Sequence, residues 1–238
     1  METAGYATLS RQSGLMQEMQ VVANNIANSA TTGFRQEGVI FSEYVKSTSD
    51  GSPSLSMARA QAHDTSLSQG ALTQTNGTFD LAIEGDGFFM VETPSGNRLT
   101  RAGAFSANAD GDLVTPDGYR VLDAGEAPIF VPSDTGKIHF ASDGTVSADG
   151  RLLGQIGLFQ ATETTAMKRE DGVMFDPGGD VEPALNAQII QGFLEGSNVN
   201  PILQISRMIE IQRAYELGQS FLESEDERIR NAVKSMLR

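Results

Sequence analysis

The chain holds two histidines, His63 and His139, and no cysteine, which leaves few side chains for nucleophilic triads, thiolate chemistry or zinc. A Ser-His-Asp arrangement needs an imidazole oriented by a carboxylate beside an exposed hydroxyl. His63 lies in a polar stretch and His139 on an alternating strand-like run, and neither has a recognisable nucleophile motif around it. The run from Ser106 to Asp117 imitates a calcium loop, with Gly111 at the sixth position and Asp117 at the twelfth. It lacks an acidic first ligand and the closing bidentate Glu, so a hairpin turn accounts for it better. Asp110 with Asp112, or Glu84 with Asp86, have the residue types for glycosidase acid and base work, but 31 acidic residues produce such pairs by chance. Glu84-Gly85-Asp86-Gly87 carries no basic residue and opens a strand, so it lacks the helix N-terminus that cradles phosphate. No catalytic constellation, metal site or cofactor site is expected, and the chain reads as a non-enzyme.

The elements that would position any site come in two kinds. Near the start, Leu9, Met16, Met19, Ala23, Ile26 and Ala30 recur at helical spacing. Met208, Ile211, Tyr215, Leu222, Ile229, Ala232 and Met236 do the same near the end. The three-four alternation is that of a coiled-coil seam, with Gln12 interrupting the first stripe and Gly218 and Glu225 the second. Between the stripes, Asp-Gly pairs at Asp50, Asp86, Asp110, Asp117, Asp143, Asp149 and Asp171 punctuate short strand-like runs such as Phe79–Ile83, Gly87–Val91, Tyr119–Leu122 and Gln155–Phe159. The expected fold class is therefore α+β. A central antiparallel all-β domain over residues 76–196 is flanked by terminal helices that pair as a discontinuous coiled-coil-like domain, residues 1–35 and 197–238. Residues 36–75, rich in Ser, Thr, Ala and Gln in their second half, are expected to form a linker or extended arm. Two helices alone are marginal in water, so their stripes call for cover from neighbouring copies or homologous subunits.

Charge and composition narrow the partners. A formal net charge of −14 on 238 residues repels phosphate backbones and anionic lipid, so nucleic acid is not an expected partner, nor is a small-molecule substrate. No apolar run approaches the roughly 20 residues that cross a bilayer, and METAGYATLSR has neither the basic nor the apolar region of a cleavable signal. The absence of cysteine excludes disulfides and suits a chain that travels unfolded into an oxidising space.

Four ordered blocks carry a resemblance. Met19-Gln20-Val21-Val22-Ala23-Asn24-Asn25-Ile26-Ala27-Asn28-Ser29-Ala30-Thr31-Thr32-Gly33-Phe34-Arg35 resembles the N-terminal signature of bacterial flagellar rod and hook proteins. Phe79 to Phe89 is similar to the central strand motif of that family, and Thr100-Arg101-Ala102-Gly103-Ala104-Phe105, leading to Gly118–Leu122, to the hairpin after it. Leu194-Glu195-Gly196-Ser197-Asn198-Val199-Asn200-Pro201 through Glu216 resembles the C-terminal signature. Length leaves the proximal and the distal members of the basal-body rod family, and by Gly196, by its first six residues and by its compact centre the chain looks more like the proximal one. It departs from the family at Gln204-Ile205 and at the acidic Glu225-Asp226-Glu227.

The resemblance implies a structural subunit of the flagellar basal-body rod that polymerises through its terminal helices into a drive shaft across the periplasm. It implies export without a cleaved signal through the flagellar type III apparatus, self-association, and partners among the other proximal rod subunits and the distal rod protein. The implied subunit interface is Leu9, Met16, Met19, Ala23, Asn24, Asn25, Ile26 and Asn28 on the first helix, with Met208, Ile211, Tyr215, Leu222, Ile229 and Met236 on the last. Gly33, Phe34, Ser197, Asn198, Val199 and Asn200 are the implied family-motif positions. A secreted adhesin or another filament subunit would share the turn-rich centre, and only the terminal signatures argue against it. A hydrolase would require a cleft with a perturbed titratable pair, for which the residues offer no candidate.

Overall fold

A computed structural model describes residues 2–46, 55–132 and 136–236, with side chains described except at 2–4, 6, 41–46 and 55–63. The Asp50-Gly51 pair and the His63 side chain lie outside this description. The fold is α+β, with a largely antiparallel β-rich middle between an N-terminal and a C-terminal helix. It divides into two compact units. One comprises Met1–Ser29, Gln36–Leu67 and Val199–Arg238, the other Ala30–Arg35 and Ser68–Asn198.

The first unit holds helix α1 (Glu2–Ala27), strands β1 (Glu37–Lys46) and β2 (Leu55–Thr65), and, at the other end of the chain, a 36-residue C-terminal helix. Where a linker or extended arm is expected, β1 and β2 pair antiparallel, with Val39 opposite His63 and Lys46 opposite Leu55, and both lie against α1. Val39, Ile40, Phe41, Tyr44 and Val45 are strand-forming types, but their partner strand is largely Ser, Ala and polar residues. Such a strand is specified by its ladder rather than by its own pattern, so residues 36–75 read as linker in sequence.

The second unit runs through β3 (Leu72–Gln74), β4 (Leu81–Glu84), β5 (Phe88–Thr93), β6 (Gly96–Thr100), β7 (Ser106–Ala107), β8 (Leu113–Val114), β9 (Arg120–Val121), β10 (Ile138–Phe140), β11 (Thr145–Ala148), β12 (Arg151–Gln155) and β13 (Leu158–Ala161). It continues with β14 (Lys168–Arg169), β15 (Met174–Asp176), β16 (Val181–Pro183), β17 (Gln188–Gln191) and β18 (Phe193–Glu195). The main sheet runs β14-β15-β6-β5-β9-β8-β7, with β13 joining β5 to β16. Strand β5 lies at its centre and is buried on both faces. Phe89 and Val91 enter one core with Leu81, Ile83, Leu113 and Val121, while Phe88 and Met90 enter another with Leu99, Leu122, Phe159 and Phe175. The alternation follows from the two-residue period of a strand, and a strand covered on both sides reads as a continuous apolar run. At the calcium-like run, Asn108 Oδ1 accepts from the amides of Asp110 (2.9 Å) and Asp112 (2.8 Å), closing a hairpin whose Gly111 has φ +89°.

Helix α2 (Pro201–Met236) closes the first unit. Its start is locally determined. Asn200 Oδ1 accepts from the amides of Ile202 (3.1 Å) and Leu203 (3.3 Å), and Pro201 takes the first helical position, where its missing N–H leaves nothing unsatisfied.

Candidate functional site

Two places carry the residues singled out by sequence: the helical surfaces of the first unit and a buried charge cluster in the second. In the first unit α1 and α2 run antiparallel. Asn25 Nδ2 donates to Gln204 Oε1 (3.3 Å), Arg207 forms an ion pair with Glu18 (2.6 Å), and a Cβ on Gly218 would stand 3.4 Å from Gln12. The polar exceptions of the two stripes, Gln12 and Gly218, thus lie opposite each other, beside a groove of about 340 Å³ lined by Thr8, Gln12 and Leu15 with Leu217, Gly218 and Phe221. Asn25 is buried. Its side chain donates to Glu37 O (2.7 Å) and accepts from Glu37 N (2.9 Å), fixing the start of β1.

The inner face of α1 differs from the apolar stripe read in sequence. Its buried residues are Gly14, Glu18, Val21, Val22 and Asn25, whereas Leu9, Met16, Ala23 and Asn24 are exposed and Met19, Ile26 and Asn28 half-buried. A count of large apolar residues skips this face because Glu18 and Asn25 occupy two of its positions, each with its polar atoms satisfied. The paired polar residues at α1 positions 18 and 25 were the available signal. On α2, Gln204 and Ile211 are buried and Met208, Tyr215 and Leu222 half-buried over the first half of the stripe. Its continuation is bare: Ile229 is 49% exposed, Val233 50% and Met236 85%. The reason is length, 36 residues against 26. Counted from the Asn25–Gln204 contact in an antiparallel register, the C-terminal turns of α2 run past the length of α1, which leaves Ile229, Val233 and Met236 exposed.

In the second unit all four resemblance blocks converge on one cluster. Glu195, fully buried, accepts from Arg35 Nη1 on Oε1 (2.7 Å), from Gly70 N on Oε1 (2.8 Å) and from Arg101 Nη1 on Oε2 (3.2 Å). Arg35 also donates to Ser68 O (2.6 Å), and Arg101 Nη2 to Gly85 O (2.7 Å) in the central strand block. Gly33 N donates to Glu195 O (2.8 Å), and Asn198 bonds both Ser68 O through Nδ2 (2.8 Å) and Phe34 O through N (3.3 Å). Phe34 is buried under the Arg169 guanidinium, 4.3 Å from the ring centroid, and Arg169 Nη2 donates to Arg35 O. Gly33 is required twice over: its φ is +72°, and a Cβ would stand 2.3 Å from Ala102 N. Gly70 is required by close approach, since its Cβ would meet Gly196 O at 2.0 Å. Ser197 is half-buried and Val199 buried.

Two guanidiniums against one carboxylate leave the cluster with a net positive charge in the interior. Burial pushes both arginines below their ordinary range, Arg101 to about 10, with the attraction of Glu195 and, more weakly, of Asp86 opposing it; for Arg101 the repulsion of Arg35 adds to the lowering. Arg35 Nε and Nη2 and Arg101 Nε have no acceptor among the described residues. His139 sits exposed on β10 with Nδ1 3.1 Å from Gln191 Oε1. Among the described residues no group of three or more His, Asp or Glu is placed to hold a metal ion, and no helix is long and apolar enough to cross a membrane.

Comparison with known proteins follows the same segments. Residues 6–35 match the family described as "Flagella basal body rod protein", residues 82–148 the "Flagellar hook protein FlgE/F/G D1 domain", and residues 190–235 the "Flagellar basal body rod FlgEFG protein C-terminal". The flagellar basal-body rod protein FlgF of Caulobacter vibrioides is 38% identical over 99% of this chain and 98% of its own length, and that of Mesorhizobium japonicum is 37% identical over the same shares. The rod protein FlgG of Bacillus subtilis is 30% identical over 96% of this chain and 97% of its own. The chain therefore belongs to the flagellar basal-body rod protein family, and is a structural subunit of that rod.

Proposed function

We propose that this chain is a proximal, FlgF-type rod subunit that polymerises through its terminal helices, with α1 and α2 pairing in a coiled-coil-like manner inside the polymer. Leu9, Met16 and Ala23 on α1 and Ile229 and Met236 on α2 meet neighbouring subunits, whether copies of this chain or other rod proteins. Asn25 and Ile211, being buried, act by holding the helical unit in the shape that presents those rows. Export proceeds unfolded through the flagellar type III apparatus without signal cleavage, and assembly takes place in the periplasmic part of the basal body.

The observation that carries this reading is the bare continuation of the α2 stripe. Ile229, Val233 and Met236 extend the row of Ile211 and Leu222 beyond the end of α1. Three large apolar side chains on the same helical row remove more surface from water when a partner covers them, at ~25 cal/mol per Å². Higher identity to FlgF relatives than to FlgG ones supports the proximal assignment. A distal, FlgG-type subunit is the second reading, favoured by relatives that align over nearly the whole chain.

The test is Ile229→Asp. Ile229 is half exposed, so the purified variant should keep the parent's helicity and melting behaviour, while burying an unpaired carboxylate at an interface costs several kcal/mol and should abolish swimming and rods in isolated basal bodies. Ile229→Val, at ~0.5–1.5 kcal/mol, should swim, as should Ser220→Glu on the opposite face of α2. Normal rods with Ile229→Asp would remove the helical ends as the polymerising element. Complementation of strains lacking either the proximal or the distal protein separates the two readings.

A further inference from the structure

Three stretches far apart in sequence, residues 33–35, 68–70 and 195–198, are held together in the β unit by hydrogen bonds that nearly all pass through Glu195, Arg35 or Ser68. These stretches adjoin three of the four points at which the chain passes between the two units, 35/36, 67/68 and 198/199. Arg35 and Arg101 have no exposure beyond 2%, yet Glu195 is the one carboxylate among the described residues that ion-pairs with either. Take Glu195 away and Arg35 cannot dock without placing two unpaired cations side by side in the interior. Keep Glu195 and remove one arginine, and a balanced one-to-one pair remains.

We propose that Glu195 is a latch: docking of the N-terminal connector, residues 30–35, onto the β unit is conditional on the arrival of Glu195 at the end of β18. An incomplete chain, with everything up to β17 in place but lacking Glu195, leaves Arg35 repelled by Arg101, so the connector stays undocked. The last strand to be made then completes the anchor for the first segment, and the β unit closes only when the chain is present through residue 195. The device is independent of which neighbours the helices meet, because every group in it belongs to the β unit.

Amide hydrogen exchange in the full-length protein reads the latch. The Gly33 amide, bonded to Glu195 O, reports the connector; the Ile156 amide, bonded to Gly144 O at 2.8 Å, reports the β unit away from it. Glu195→Gln keeps size and shape but leaves both guanidiniums without an ion-paired carboxylate, Asp86 attracting them only at longer range, and should speed Gly33 exchange by about 10²–10⁴-fold, the factor for breaking a buried pair by losing one partner, with Ile156 little changed. Arg35→Met or Arg101→Met should each speed it less than about tenfold, since a paired charge remains. Arg35→Met/Arg101→Met/Glu195→Met, with no charge left to pair, should bring Gly33 back to within about tenfold of the parent. If Glu195→Gln alone does not fold, the triple variant decides, because recovered folding supports the latch and continued failure overturns it. Equal losses for Glu195→Gln and the single arginine variants would also overturn it, since the cluster would then matter only as packing.

Discussion

Glu195 and Glu18 are both carboxylates paired with arginine, and they sit in opposite regimes. Glu195 and Arg35 have no exposed side-chain surface, whereas Arg207, the partner of Glu18, is half exposed at 50%. Around Glu195 the β unit has an interior filled from both faces of β5. Around Glu18 the helical unit has one covered face and several bare apolar rows. Water can replace a partner lost from the second pair and cannot reach the first. The β unit is therefore self-sufficient but unforgiving, and the helical unit is tolerant but incomplete.

The largest effect expected from that contrast is in the β core. Phe89 is fully buried against Phe105 at a centroid distance of 5.1 Å, and Phe89→Ala should lower the stability of the β unit by about 3–5 kcal/mol, seen as a shift in its denaturation midpoint. Ile211→Ala, the most buried apolar side chain of α2, should cost about 2–3 kcal/mol, at the low end for such truncations because half-exposed neighbours can close in. Equal costs, or a shift of the β transition by Ile211→Ala, would erase the distinction between the units.

Next comes Gly33→Ala. The positive φ and the contact at 2.3 Å with backbone leave an added methyl no relaxed position, so the variant should lose more than about 1 kcal/mol. Gly5→Ala in α1, where nothing lies within 4 Å of the new methyl, should gain up to about 1 kcal/mol of helix stability. Parallel thermal melts of the two variants check the signs.

Smaller still is the half-buried pair of Glu18 and Arg207, whose side chains are 12% and 50% exposed. Glu18→Ala and Arg207→Ala should each cost no more than about 1 kcal/mol, and their double-mutant cycle should give a coupling of about 0.2–1 kcal/mol. A coupling of several kcal/mol would mean that the helical unit depends on its ion pair as the β unit does on Glu195.

The smallest effect is at the surface of the β unit. Asp149 has its carboxylate held below the ordinary value of 3.8 by hydrogen bonds from the amides of Gly136 and Lys137. A carboxyl whose folded value is depressed contributes stability above 3.8 and loses it as pH falls through the folded value. Acid titration followed by the amide shifts of Gly136 and Lys137 should therefore show local loosening below 3.8, and Asp149→Asn should flatten that response.

Much of this was written in local pattern. Strands β4 and β5 are legible as Phe79–Ile83 and Gly87–Val91 because a strand buried on both faces must be apolar throughout. The calcium-like run declares itself a hairpin through Asn108 and Gly111. The start of α2 is legible in Asn200-Pro201, since capping is a matter of a few adjacent atoms. The hairpin of β1 and β2 was not legible, because its second strand is specified by its partner. The covered face of α1 is not legible in apolar spacing, because Glu18 and Asn25 lie on it, and polar residues look buried only when their partners, Arg207, Glu37 and Gln204, are in view.

What the sequence by itself determined is the succession of helix, turn-rich β middle and helix, the helical rows and, through four signature blocks, the family. Which row of α1 is covered, where the α2 stripe runs bare, and that Arg35, Arg101 and Glu195 form one buried cluster were decided only in three dimensions. The reason is physical: spacing along a chain sets which residues share a face, but whether a face is buried, and whether a charge on it has a partner, depends on residues as far away as Arg35 is from Glu195.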